Sequence, residues 1–291
     1  MAGRSRRRHQ RRQAGGHYAP ELWRVWIVAP LAVLAATATG CLIYQFVIAP
    51  RVTGTADALK ITIAILTLIG AVLAGVYAYR KQRIAEGDAH RADANQLADR
   101  YTTAAGQLGD DKAAVRLAGV YALTRLADDW GEQRQVCIDV LCAYLRMPYQ
   151  PDPTRAGHKE GERQVRHTII RVIRDHLQEP ESRTSWSSCN FDFTGATFDG
   201  GDLSDSTFRG TVSFRETEFS GDAVDFTYVE FSGDTVDFSG AKLSADAVHF
   251  GGVKFSRGSV DFSYAEFTGA TVGFIGAKFS GATVNFGEAK F

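Results

Sequence analysis

The sequence predicts three architectures in series: a membrane α-hairpin, a small α-helical spacer domain and a C-terminal β-helix wound as a solenoid. Three observations carry that prediction. Two long stretches near the N-terminus contain no charged residue; the segments after them place apolar residues at three- and four-residue spacing; and from Phe193 to Phe291 an apolar side chain recurs at a fixed short beat.

Residues 1–21 hold Arg4, Arg6, Arg7, Arg8, Arg11 and Arg12 among Gly, Gln and Ala with no apolar period, the composition of a disordered basic tail. An apolar run follows directly, so these arginines read better as a topology determinant in contact with anionic lipid than as a nucleic-acid tail. No charge occurs from Val25 to Pro50 or from Ile61 to Tyr79, and roughly 20 apolar residues suffice to cross a hydrocarbon core. Transmembrane helices are therefore predicted over 22–49 and 61–79, joined by a short external loop over 50–60. Trp23 and Trp26, and Tyr77 and Tyr79, fit interfacial aromatic belts. Positive charge precedes the first span and resumes at Arg80, Lys81 and Arg83, whereas the loop carries only Arg51 and Lys60, which places both termini in the cytoplasm of a multi-pass cell-membrane protein. A cleaved signal ending at Gly40-Cys41 is the competing reading; Ala38 matches it poorly and the apolar run continues through Phe46 and Val47. Gly70 and Ala74, with Ala71 and Gly75 beside them, offer a small-residue face for close helix packing. Val25 to Pro50 and Ile61 to Tyr79 contain no Asp, Glu, Lys, Arg or His, which argues against a transport path.

Residues 80–147 predict a cytoplasmic helical stalk and hairpin. The stalk carries Leu97, Tyr101, Ala105 and Leu108 on one face. Asp110-Asp111 are capping candidates for a helix with Val115, Leu117, Ala118, Tyr121, Ala122 and Leu126 as its apolar face. Asp128-Asp129-Trp130-Gly131 breaks it, and a third helix over 135–147 buries Val136, Ile138, Val140, Leu141, Tyr144 and Leu145. Cys137 and Cys142 read as core thiols, not a redox pair; with Cys41 and Cys189 they show no metal spacing. Pro148, Pro151 and Pro153 with Gly157 and Gly161 mark a linker over 148–162. A capping helix over 163–180, with Val165, Ile169, Ile170, Ile173 and Leu177 on one face, can cover the N-terminal end of the solenoid, with Trp186 packed between. His167 and His176 lie nine residues apart and read as surface or capping histidines.

The beat of residues 186–291 has 18 centres, 16 Phe and two Leu. A small or β-branched residue sits two before most of them, the spacing of side chains sharing one face of a strand, and Gly follows where corners need it. The candidate ladder residues are Phe214, Phe219, Phe226, Phe231, Phe238, Leu243, Phe250, Phe255, Phe262, Phe267, Phe274, Phe279 and Phe286. The first four centres, Phe193, Phe198, Leu203 and Phe208, are spaced by five. This block resembles the pentapeptide-repeat family, which implies a right-handed quadrilateral β-helix with the centre and the residue two before it pointing inward. From Phe214 the spacing alternates five and seven, a 12-residue variant unit. The string Arg116 to Ala127 resembles the helical segment of membrane-anchored bacterial pentapeptide-repeat proteins, a resemblance of architecture with no assigned chemistry.

Coil length follows from charge. A coil of 24 residues stacks Glu218, Lys242, Glu266 and Lys290 with alternating sign, whereas 12 would stack Glu218 on Glu230 and Lys242 on Lys254. The same register sets Asp237 on Asp261, a local strain relieved by solvent or a weak cation site. The chain stops at Phe291, itself a centre, so either a second copy covers the open strand edge, a homodimer of the kind the family implies, or the product is truncated.

Net charge is zero, yet residues 190–291 hold 15 Asp/Glu and 7 Lys/Arg, a net of −8 that the remainder balances. No P-loop, dinucleotide fingerprint, HExxH, Gly-x-Ser-x-Gly or Cys-x-x-Cys motif occurs, so no catalytic, cofactor-binding or metal-binding residue is assigned and the chain reads as non-enzymatic. The leading reading is a membrane-tethered cytoplasmic scaffold that presents solenoid faces to a protein partner and contacts membrane lipids. The alternative, implied by the family resemblance, is a DNA mimic that binds topoisomerase. Against it, residues 191–246 have 12 acidic and 3 basic residues but 247–291 have 3 and 4, so acidity does not run the length of the rod. An enzyme or channel is the weakest reading.

Overall fold

A computed structural model describes residues 55–268 and 271–291, together with Leu34, Thr37, Ala38, Gly40 and Cys41. The predicted basic tail, and most of the predicted first span and loop, lie outside the described residues. The chain divides into two compact units, the second beginning at Asp93.

Helix α1 spans Thr55–Leu108, so the predicted second span and stalk are one element. No proline interrupts it, and the charged residues after Tyr79 are good helix formers. Within it Ile63–Ala85 is long and apolar enough to cross a membrane and is unburied. Gly70, Ala71, Ala74 and Gly75 are exposed, and a Cβ added at Gly70 or Gly75 would meet nothing within 4 Å.

In the second unit the end of α1 packs on a hairpin of α2 (Ala113–Asp129) and α3 (Arg134–Arg146), joined by a 3-10 turn at Gly131–Gln133, and α4 spans Glu162–Leu177. Three expectations need correction. Lys112 occupies the N-cap of α2 without a side-chain bond; Asp110 Oδ1 instead accepts from the Lys112 N–H at 2.8 Å, closing the turn ahead of the helix. The buried face of α2 is rotated from the predicted one: Arg116, Val120, Leu123 and Ala127 are buried beside Leu126, while Tyr121 is 50% exposed and Ala118 is exposed. Val136 of α3 is also exposed. A counting of apolar residues passes over Arg116, whose burial sets the helix's orientation.

Among the described residues, fifteen short parallel strands, β1 (Phe191–Asp192) to β15 (Ala282–Asn285), build a solenoid of about four turns with four strand positions per coil. Side one stacks β1, β4 (Val212–Ser213), β7 (Thr235–Asp237), β11 (Gly258–Asp261) and β15. Sides two and three share a sheet because β5 (Glu218–Asp225) turns their common corner, pairing with β8 (Lys242–Leu243) at one end and β9 (Val248–His249) at the other. Side four stacks β3 (Thr207–Phe208), β6 (Glu230–Phe231), β10 (Lys254–Phe255) and β14 (Lys278–Phe279). Register partners lie 21 residues apart at Phe191 and Val212, 23 at Asp202 and Asp225, and 24 at Val212 and Val236. The coil lengthens as seven-residue sides replace five-residue ones.

Two corner types explain the glycines. In the tight corners the second residue after the centre takes the left-handed conformation, as at Gly240 and Gly252, but also at Asp205, Glu216, Tyr228, Tyr264 and Glu288 with φ of 53 to 59°. In the wide corners the chain runs against the coil before it, and a Cβ on Gly233 would collide with the Gly210 carbonyl.

Candidate interaction surface

Inside the coils the rings form columns. Phe214, Phe238, Phe262 and Phe286 stack with centroids 4.7, 4.8 and 5.0 Å apart. Phe226, Phe250 and Phe274 stack at 5.0 and 4.8 Å, and Phe231, Phe255 and Phe279 at 5.1 and 5.0 Å. On side two, Leu243 separates Phe219 from Phe267. Planes within 4–13° of parallel come from the coil spacing of about 4.8 Å, which seats each ring on its neighbour. The ladder holds four outward faces rigid.

Those faces differ. On side one the residue before each centre is spent on the backbone: Asp192, Asp237 and Asp261 accept from the N–H of Thr194, Ser239 and Ser263 at 2.8–3.0 Å. Asp225 on side three does the same for Thr227, and Asn285 for Gly287. Asp237 and Asp261 are register neighbours, and these bonds account for acids there; among the described residues no group of three or more His, Cys, Asp or Glu is poised to hold a metal. Side two neutralises itself, since Glu218, Lys242, Glu266 and Lys290 are consecutive register partners. Lys290 Nζ donates to Glu266 Oε1 at 2.7 Å, and that bond holds the Glu266 carboxyl below its ordinary value. Side four is different: Glu230 is followed by Lys254 and then Lys278, like charges in adjacent coils.

The helices occupy the N-terminal coil. Arg146 pairs with Asp192, Arg174 with Asp202, and Arg163 bridges Asp199 and Asp222 at 3.0 and 2.6 Å. His167 Nε2 lies 2.6 Å from the Asp199 carbonyl, and Ile170 meets the bare backbone of Gly201. Trp186 is fully buried and stacks on His176 with centroids 4.3 Å apart; His176 Nδ1 donates to the Val172 carbonyl and its Nε2 faces Asp128 at 3.3 Å. Asp192, Asp199, Asp202 and Asp222 thus belong to a seam between the helices and the first coils.

A buried charge network lies behind that seam. Glu162 receives Tyr144 Oη–H at 2.7 Å and Arg166 Nε–H at 3.0 Å, while Arg116 Nε sits 3.4 Å away as an ionic contact without hydrogen-bond alignment. The remaining guanidinium hydrogens go to carbonyls: Arg116 to Asp110, Asp111 and Glu160, and Arg166 to Leu145 and Met147. Burial, then the bond to Glu162, raises the Tyr144 phenol. Glu162 stands at the end of the predicted linker, and reading that segment as Pro/Gly-rich connection missed it. An Arg at an inward helical position was the available signal. Cys137 and Cys142 are buried free thiols, pushed by burial up to about 11 and about 12.

Residues 193–242 match the model of pentapeptide repeats, in 9 copies. The solenoid carries pentapeptide repeats. The matched stretch covers the five-residue block and the first variant units; beyond Lys242 the 24-residue register continues through the remaining coils. No curated protein and no solved structure matches the chain.

Proposed function

We propose that this chain is a non-enzymatic, membrane-tethered cytoplasmic scaffold whose pentapeptide-repeat solenoid, a right-handed quadrilateral β-helix, recruits a protein partner. The observation that carries the reading is the ring ladder beneath four strand-built faces, which fixes outward side chains in rows about 4.8 Å apart. Such a lattice supplies area and pattern instead of a pocket. Tethering draws support from Ile63–Ala85, in which Tyr77 and Tyr79 and then Arg80, Lys81 and Arg83 mark the end of the apolar run. The multi-pass hairpin, with both termini cytoplasmic, adds the charge-free stretch from Val25 to Pro50, and the exposed Gly70, Ala71, Ala74 and Gly75 are the face on which two spans would pack.

The test is proximity labelling in cells with the labelling enzyme ahead of Met1, comparing full-length chains altered one face at a time. The set includes Thr235→Lys/Ser259→Lys on side one, Glu218→Lys/Glu266→Lys on side two, His249→Glu on side three and Lys254→Glu/Lys278→Glu on side four. Loss of a shared group of neighbours from one variant supports recruitment by the solenoid. An unchanged set in all four would sink the reading. Topoisomerase among the lost neighbours would promote the DNA-mimic alternative, and a membrane-free fraction carrying the whole protein would remove the tether.

A further inference from the structure

We propose that side four of the C-terminal coils, with the corner that precedes it, is the docking surface, and that its occupant is an acidic peptide segment carrying an exposed apolar side chain. The proposal rests on the scaffold reading and narrows it to one face and one partner chemistry.

Each of the other faces gives charged groups a partner. Side two alternates Glu and Lys, side one commits its Asp oxygens to backbone N–H groups, and Asp202 on side three is held by Arg174. Side four does not. Lys254 and Lys278 are consecutive register partners, both exposed, and neither ammonium is in an ion pair among the described residues. Like-charged side chains on strands about 4.8 Å apart repel, and the repulsion is relieved by an anion placed across them. Glu230, one coil earlier, does not supply it, for no ion pair joins Glu230 to Lys254.

The corner two residues ahead of that column is apolar and open. Tyr228 is 66% exposed although it occupies a left-handed position with φ of 58°, where an aromatic side chain is strained. Its ring lies against the bare Cα of Gly252 in the next coil, where an added Cβ would fall within 2.6 Å of it. One coil further, Ile275 is 88% exposed. Tyr228 and Ile275 are thus exposed apolar side chains at one corner, two coils apart, with the Tyr228 ring lying over Gly252 in the coil between them. A side chain seated there would bury both, and acidic neighbours on the same extended segment would reach Lys254 and Lys278.

The size of the patch argues for a peptide over the other anionic partners. Recognition of an anionic membrane by charge uses clusters of roughly four to eight basic residues, and a nucleic-acid backbone needs a longer basic track, with each neutralised phosphate adding to the salt dependence. Two lysines beside a glutamate, with an exposed tyrosine and isoleucine at the adjoining corner, match a short acidic segment with a hydrophobic anchor.

The direct measurement uses the full chain in detergent micelles on an immobilised random copolymer of glutamate and tyrosine, with polyglutamate and a lysine–tyrosine copolymer as controls. Wild type is expected to prefer the glutamate–tyrosine copolymer, to be released by raised salt, and to lose about tenfold in affinity in Lys254→Glu/Lys278→Glu and a smaller factor in Tyr228→Gly. Tyr228→Gly removes strain, so it tests the ring without threatening the fold. No preference for the copolymer, equal binding by the variants, or capture by phosphatidylserine vesicles that depends on the same two lysines would each overturn the proposal. In the cellular experiment, neighbours lost from a different face variant but kept by Lys254→Glu/Lys278→Glu would overturn it while leaving the scaffold standing; neighbours kept by all four would remove both.

Discussion

The helical part of the second unit and its solenoid bury their cores by opposite chemistry. The helices close around Arg116, Glu162 and Arg166, three ionised groups whose hydrogens and oxygens are shared among one another, Tyr144 and specific carbonyls. The solenoid closes around rings that meet the same neighbour in coil after coil. A one-off network depends on every member, because removing one leaves a buried charge without its counter-charge. A ladder depends on each rung chiefly through its two neighbours.

The largest effects should fall one in each region. Glu162→Ala strands two buried guanidiniums and is expected to cost about 3–5 kcal/mol, read by thermal denaturation of the full chain in detergent. Replacing the set together, Arg116→Met/Glu162→Leu/Arg166→Met, should cost less than that single change; a greater loss would mean that the network's hydrogen bonds outweigh its desolvation. Phe238→Ala, in the middle of its column, is expected to lose about 3–5 kcal/mol. Phe286→Ala, 40% exposed in the last coil, should lose only about 1–2 kcal/mol. Equal losses at the two positions would break the rung-by-rung account.

Smaller effects sharpen the contrast. With burial holding Cys137 at about 11 and Cys142 at about 12, both thiols should resist a maleimide at pH 8 and react only in denaturant, as counted by intact mass. Labelling of the native chain at a free-thiol rate would mean that the helical core opens locally. The smallest effect lies at the seam. For Asp192 and Asp202, burial raises the carboxyl, but the bonds from Thr194 and Ser204 and then the partners Arg146 and Arg174 outweigh it and hold both below their ordinary value. A depressed carboxylate contributes stability that is present above its unfolded value, near pH 4, and lost as pH falls through the folded one. With side chains about half exposed the loss should stay under about 1 kcal/mol each. Melting temperatures that do not move between pH 5 and pH 3, or are restored by acid, would contradict the seam.

Legibility followed repetition. The beat of Phe198, Phe219 and their successors announced a strand-built coil, and the alternation of Glu218, Lys242, Glu266 and Lys290 was enough to count 24 residues in it, because identical units leave the same mark many times. The apolar face of α4 was readable for the same reason: Val165, Ile169, Ile173 and Leu177 recur at helical period, and all are buried. Asp237 and Asp261 looked like stacked charges because sequence shows who neighbours whom across coils but not that each carboxylate turns back to its own backbone.

What the sequence by itself determined is therefore periodic: apolar columns, coil length, the charge-free stretches and the excess of acid in the repeats. What only the tertiary structure decided is singular. The orientation of α2, the partners of Arg116, the Arg146, Arg163 and Arg174 seam, and the seat of the Tyr228 ring on Gly252 each depend on residues far apart in the chain meeting once. A periodic contact is encoded wherever its period is, whereas a unique contact becomes visible only when the chain has closed around it.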